Sequence, residues 1–321
     1  MVKVEIGKNE ENQRLDRFLR KYLEKAPLSL IYKAIRKDVK VNGKRAGEAT
    51  LLKDGDVVSL YMSEEDIAKY RKKADGRRTK KQFAVAYEDE NILIAEKPFG
   101  LLTHGDATEK KNHLANQVVD YLISKGDYNP RTEKTFKPAS VNRLDRNTTG
   151  LVLFGKNSET LRELNKLIRE RNSISKYYLT IVRGHMKEEL HLVDKMVKDR
   201  ESNTVSVMPQ ESKDGLVMET LARPLEYSNG YTLVEVKIIT GRTHQIRAHL
   251  AKEGFPIIGD AKYGDRRTND IIRKKYGWST QLLHAYKLSF EGCRGNLEYL
   301  NGKTVTSQLP VDFARIKEGI F

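Results

Sequence analysis

Leu15, Phe18, Leu19, Tyr22 and Leu23 recur three and four residues apart, with Arg14, Asp16, Arg17, Arg20 and Lys21 between them. The spacing predicts an amphipathic helix, which Pro27 ends. In a second helix Ser29 is placed to cap and Leu30, Ile31, Ala34 and Ile35 form the apolar stripe. Val39-Lys40-Val41, the turn pair Asn42-Gly43, then Asp54-Gly55 and Val57-Val58-Ser59-Leu60 predict a short β-ribbon. Residues 1–62 therefore read as a small α/β domain. Between residues 63 and 82 the apolar positions thin out, and over the thirteen residues 69–81 Lys69, Arg71, Lys72, Lys73, Arg77, Arg78, Lys80 and Lys81 face one acid, Asp75, which predicts a basic linker rather than a core. From residue 83 the pattern changes. Strand-like runs at 83–87, 92–96, 151–155, 178–182 and 233–239 alternate irregularly with helical stretches such as 158–170, predicting an α+β domain over 83–321.

Composition narrows the class. With 321 residues, 38% of them hydrophobic, and no apolar run near the ~18 residues that span a bilayer, the chain is expected to be soluble and large enough for two domains. Met1 to Asn12 are charged, so no signal peptide is expected, and a single cysteine, Cys293, builds no internal disulfide framework and suits a reducing cytoplasm. Fifty-nine Lys and Arg against 44 Asp and Glu leave +15, which points to a polyanion. A lipid surface is the rival, and no basic interfacial helix supports it. Lys33, Arg36, Lys37, Lys40, Lys44 and Arg45, against Asp38 alone, form a candidate RNA-binding patch; a solvated face is the alternative.

Several chemistries are excluded. His244 and His249 lack the acidic partner of a His-Glu-x-x-His site, and one cysteine cannot build a zinc ribbon, so no metal is expected. No phosphate-binding G-x-x-x-x-G-K-[ST] loop, G-x-G-x-x-G turn or G-x-S-x-G elbow is present. The strongest chemical signal is Asn142-Arg143-Leu144-Asp145-Arg146-Asn147-Thr148-Thr149-Gly150, which sets a carboxylate between two arginines just before the apolar run Leu151-Val152-Leu153-Phe154. A carboxylate held there stays ionised and can act as a nucleophile. The local alternative is an ion pair with a neighbouring arginine, or a cap on Thr148 and Thr149.

That run resembles the catalytic loop of the RluA-type pseudouridine synthases, usually His-Arg-Leu-Asp-x-x-Thr-Ser-Gly. Three further segments agree in order: Glu96 to His104 resembles the family's first motif, Lys176-Tyr177-Tyr178 its Lys-x-Tyr motif, and Thr240 to Leu250 its third. Leu283 to Leu288 adds a weaker match. The resemblance covers roughly residues 83–321 and implies a mixed, largely antiparallel sheet with flanking helices and a cleft across its middle. The order helix, helix, Val-Asn-Gly, Asp-Gly-Asp in the first 62 residues resembles the S-four-type RNA-binding domain. That domain and the linker most resemble the RluC and RluD branch, residues 27–37 lying nearer RluC, so the implied partner is large-subunit (23S) ribosomal RNA. A monomer is expected.

The implied reaction isomerises uridine to pseudouridine without a cofactor: the glycosidic bond breaks, the uracil turns, and ribose rejoins at carbon 5. Asp145 fits the catalytic carboxylate. Tyr178 fits the platform for the freed base, and its phenol also fits a base that removes a proton; Tyr177, on the other strand face, is the weaker candidate. Arg247 is placed to pair bidentately with Asp145 and depress its pKa, with Arg242 competing for the role. Ile246 fits an apolar wall, Lys176 a substrate contact, and Arg143 either enters the RNA stack as the nucleotide flips out or binds phosphate. Asn142 and Thr149 depart from the family's His and Ser; Thr keeps the hydroxyl and Asn still hydrogen-bonds locally. The competing function is a non-catalytic ribosomal-RNA binding or assembly factor derived from a synthase, and intact Asp145, Tyr178 and Arg247 weigh against it.

Overall fold

A computed structural model describes residues 1–71, 78–199, 201 and 204–321. It divides into two compact units, one made of Met1–Thr79, Val118–Ala139 and Gly155–Arg162, the other of Lys80–Gln117, Ser140–Phe154 and Glu163–Phe321.

In the first unit β1 (Val2–Glu5), β2 (Val39–Val41), β3 (Lys44–Arg45) and β4 (Val57–Leu60) form a sheet of order β1-β4-β2-β3. Helices α1 (Leu15–Tyr22) and α2 (Leu28–Lys37) bury Phe18, Leu19, Ile31, Ala34 and Ile35 in one core with Val58 and Leu60. The Asn42-Gly43 turn is left-handed at both residues (φ 50° and 76°), the conformation that matches the twist of a two-residue hairpin. Ser29 does not cap α2. The cap is Pro27, extended at φ −63° and ψ 147°, and Ser29 lies inside the first turn, because Pro27 brings that φ preset and has no N–H to satisfy.

Part of the expected linker is helical. Residues Glu64–Tyr70 form α3, capped by Ser63 Oγ accepting from Asp66 N at 3.0 Å, and Ile67 joins the apolar core. One buried apolar residue and a cap outweigh the charge run there; Lys72, Lys73, Asp75 and Arg77 lie outside the described residues. The unit also draws in residues 118–139 and 155–162. Buried Glu10 accepts from the amides of Lys134 and Thr135 at 3.1 Å each, and Asn9 accepts from Ser158 N at 2.9 Å.

The second sheet contains β5 (Ala84–Glu88), β6 (Ile92–Lys97), β7 (Ala139–Ser140), β8 (Thr149–Gly155), β9 (Ile174–Arg183), β10 (Leu190–Asp199), β11 (Thr204–Met208), β12 (Leu216–Ser228), β13 (Tyr231–Ile238), β14 (Leu283–Phe290) and β15 (Thr304–Thr306). Its order is β11-β10-β12-β13-β9-β14-β8-β6-β5, with β15 on β14 and β7 on β8. Pairing is antiparallel from β11 through β14, then parallel where β14 meets β8. Gly150 sits on that junction opposite Ala285 at φ 111°, and a Cβ there would collide with the Ala285 carbonyl.

The remaining helices are α4 (Leu114–Lys125), α5 (Ser158–Glu170), α6 (Gln245–Lys252), α7 (Arg266–Tyr276) and α8 (Val311–Ile320). Leu164 and Leu167 of α5 pack with Leu151, Leu153 and Phe290, while Ile272 of α7 and Phe313 and Ile316 of α8 pack with Ile181 and Leu233. The fold is α+β with a mixed, largely antiparallel sheet. Among the described residues no helix is long and apolar enough to cross a membrane.

Candidate active site

Asp145 lies in the turn that feeds β8, closed by Thr148 N donating to Asp145 O at 3.1 Å. That turn is tied on both sides. Lys97, at the end of β6 and 1% exposed, donates to the carbonyls of Leu101 (2.7 Å), Arg146 (2.8 Å) and Pro98 (3.2 Å). Thr103 Oγ1 donates to Leu144 O at 2.9 Å and accepts from Leu144 N at 3.1 Å, so the residue before Asp145 is gripped at both polar atoms. Burial pulls the Lys97 ammonium down to about 7, against the pull of the Asp145 charge. Asn142, in the place of the family's His, accepts from Leu153 N (2.8 Å) and donates to Leu151 O (3.3 Å), pairing along the edge of β8 as a strand would. Thr149 Oγ1 meets His284 Nδ1 at 2.8 Å.

Arg247, in the first turn of α6, resolves the competition between the two arginines. Its Nη1 donates to Asp145 Oδ2 at 3.1 Å, whereas Arg242 Nε turns to the Val217 carbonyl at 3.2 Å. The expected bidentate pair with Asp145 does not form. The fork engages Asp260 instead, Nε to Oδ2 at 2.7 Å and Nη2 to Oδ1 at 2.8 Å, and Asp145 receives only the remaining Nη1. The reason is burial: the Asp260 side chain is 0% exposed and Asp145 26%, so Asp260 has no water to fall back on. Burial pushes Asp260 up, but the Arg247 hydrogen bonds and charge and the amides of Lys262 and Tyr263 pull it below the usual carboxylate range. The Arg247 guanidinium also lies over the Tyr263 ring, 5.2 Å from its centroid.

The carboxylate looks into a cavity of about 600 Å³ lined by Arg143, Lys176, Tyr178, Arg242, Ile246 and Arg247, among others. Strand alternation along β9 sends Lys176 and Tyr178 to this side and Tyr177 to the other, where the ammonium of Lys287 lies 4.0 Å over its ring. Burial, then the nearby Asp145 charge, push the Tyr178 phenol well above its ordinary value, so it keeps its proton. Lys176 is 6% exposed, with no hydrogen bond or ion pair to its ammonium among the described residues; burial and the charges of Arg171 and Lys237 pull it down to about 8. Arg143 is exposed, and Ile246 is a buried wall residue.

The model of the family described as RNA pseudouridylate synthase matches residues 91–252, which contain every one of these cavity residues. A protein of Vibrio parahaemolyticus named ribosomal large subunit pseudouridine synthase C is 34% identical over 90% of this chain and 88% of its own length. An uncharacterized RNA pseudouridine synthase of Mycoplasma capricolum is 31% identical over 95% of this chain and 97% of its own. The chain belongs to the RNA pseudouridylate synthase family. It is an RNA pseudouridine synthase, an isomerase. The solved structure of human RNA pseudouridylate synthase domain containing 4 shares the fold, with a TM-score of 0.56 and 22% identity over 72% of this chain and 90% of that one.

Sequence reasoning for this synthase missed three residues. Asp260 lies outside the matched motifs, although the glycines that bracket its loop, Gly259 and Gly264, were a signal. A Cβ at Gly264 would strike the Asp260 carbonyl. Tyr263 belongs to the same loop. His244, which the sequence offers only as a metal ligand, has its Nε2 3.9 Å from Asp145 Oδ2. In the first unit Lys33, Arg36, Lys37, Lys44 and Arg45 are exposed and Lys40 lies over the Tyr61 ring at 5.2 Å. Lys40 faces Arg45 directly across β2 and β3, a like-charge pairing that costs stability.

Proposed function

We propose that this synthase converts uridines of large-subunit (23S) ribosomal RNA to pseudouridine, with Asp145 as the catalytic carboxylate acting on a nucleotide flipped out of its stack. The observation that carries the reading is the Asp145 carboxylate, anchored at one oxygen by Arg247 and open to a cavity walled by Tyr178 and Ile246. In the reaction the N1–C1′ bond breaks, C1′ joins carbon 5, the carbon-5 proton leaves and N1 gains a proton, so atoms balance without a cofactor. A protonated Tyr178 suits a stacking platform better than a base. Lys176, buried at the cavity wall with no ion pair among the described residues, suits a uracil oxygen or a phosphate, and Arg143 suits the gap left in the stack. The ribosomal substrate rests on relatives named for the large subunit, and the basic face of the first unit supports an S-four-type RNA-binding role for it.

The test is tritium release from carbon-5-labelled uridine in large-subunit ribosomal RNA, wild type against Asp145→Asn. Loss of release with RNA affinity retained is expected. Substantial turnover by the variant, or no release by the wild type on this RNA, refutes the assignment.

A further inference from the structure

Tyr263 touches both groups that flank the carboxylate. Its ring lies under the Arg247 guanidinium, and its hydroxyl meets His244 Nδ1 at 2.9 Å. The hydroxyl has a single proton, and the amide of Val205 on β11 already donates to its oxygen at 2.7 Å. A phenol that accepts one hydrogen bond is fully satisfied when it donates the other, and here the other partner is Nδ1. The neutral imidazole then has its own proton on Nε2, the nitrogen that faces Asp145 Oδ2 at 3.9 Å. His244 is held at this angle by a left-handed backbone, φ 53°, immediately before α6. Arg247 Nη1 addresses the same oxygen, and among the described residues Oδ1 has no hydrogen bond or ion pair.

We propose that Val205, Tyr263 and His244 form a neutral hydrogen-bond relay that locks His244 in its Nε2–H form and, with Arg247, holds Asp145 by Oδ2, leaving Oδ1 as the oxygen offered to the ribose. His244 and Tyr263 are positioning residues, and the relay rests on the catalytic reading of Asp145. At 3.9 Å the Nε2–H is an electrostatic contact; such contacts shorten when substrate fills the site. A neutral ring suits the place. Burial lowers the pKa of His244, Asp145 and Asp260 raise it, and Arg247 and Lys262 lower it, with a net effect below its ordinary value. Burial raises that of Tyr263, which keeps the proton it donates.

The direct test is a long-range proton–nitrogen correlation spectrum of the imidazoles at neutral pH, with His244→Asn identifying the resonance; asparagine tolerates the left-handed backbone. The relay requires Nε2–H in the wild type and a shift toward Nδ1–H in Tyr263→Phe. An Nδ1–H ring in the wild type, or an unchanged tautomer in Tyr263→Phe, overturns it. If Tyr263→Phe fails to fold, the wild-type spectrum alone decides. In single-turnover conversion Tyr263→Phe and His244→Asn should each be slower by roughly three- to tenfold, the worth of one neutral hydrogen bond, with RNA affinity unchanged. His244→Gln, which restores an N–H of similar reach, should recover part of the rate. Tyr263→Phe should also acquire a rate inflection near the ordinary histidine range that the wild type lacks. If Asp145→Asn proves active, the catalytic reading fails while the tautomer result stands.

Discussion

Asp260 and Asp145 share one arginine, and exchanging each for asparagine should separate folding from chemistry. Asp260→Asn leaves Arg247, whose side chain is 6% exposed, with a neutral amide where a buried carboxylate accepted two hydrogen bonds. Removing one partner of a buried pair costs ~3–5 kcal/mol. The low end applies here, about 3 kcal/mol, because Asp145 still holds Nη1. For a unit of this size that is a melting temperature lower by roughly 6–12 °C. Asp145→Asn, by contrast, leaves the fork on Asp260 intact and should change stability by under ~1 kcal/mol while abolishing turnover. Urea titration followed by the fluorescence of Trp278, the only tryptophan, reads the second unit; its ring packs 5.1 Å from Phe99. The pH dependence gives a second check. Asp260 titrates below its ordinary range, so its stabilisation is complete above about pH 4 and is lost as pH falls through its folded pKa. Asp260→Asn should lack that part of the acid limb. Equal destabilisation by the two substitutions, or an Asp260→Asn protein as stable as wild type, would refute the division of labour.

Tyr178→Phe should keep RNA affinity and lose less than the ~10²–10⁴-fold that removal of a general base costs; a loss in that range, with a wild-type rate climbing with pH, would make the phenol a base. Replacing Lys33, Arg36 and Arg45 together by glutamine should reduce the slope of log affinity against log salt by about 2 and leave the single-turnover rate at saturating RNA unchanged; an unaltered slope would remove the first unit from the binding surface. Burial holds His249 and His284 at about 4, so each contributes stability present above the ordinary histidine pKa of about 6.5 and lost as pH falls toward 4. His284→Asn should flatten the urea stability profile across that window, and an unchanged profile would contradict the burial argument.

Local pattern was enough wherever local physics decides. The alternation along β9 put Tyr178 and Tyr177 on opposite faces, and α5 runs over the predicted 158–170 because its apolar stripe has one place to go. Ser29 failed as a cap because two good starts lay two residues apart and spacing alone does not rank them. α3 was hidden by the charges around Ile67. The partner of Arg247 was beyond sequence reasoning for a different reason. Which of two carboxylates receives a guanidinium fork depends on which is buried, and the burial of Asp260, in a loop where it accepts from the amides of Lys262 and Tyr263, is a tertiary outcome. His244 escaped notice because its meaning lies in Tyr263 and Val205, contacts 19 and 58 residues apart in sequence.

The double grip on the Asp145 turn by Lys97 and Thr103 bears on where time is spent in a catalytic cycle. Its anchors are backbone carbonyls and an amide, present before any RNA arrives, and the arginine that steadies the carboxylate is itself fixed to Asp260. If Asp145 is the reacting group, as proposed, its ordering entropy is thus met during folding. On the proposed flipping mechanism, the motions left to the cycle are those of the nucleic acid: the opening of an RNA stack and the turn of a freed uracil. On that mechanism, substrates whose target loops are already open should be turned over fastest.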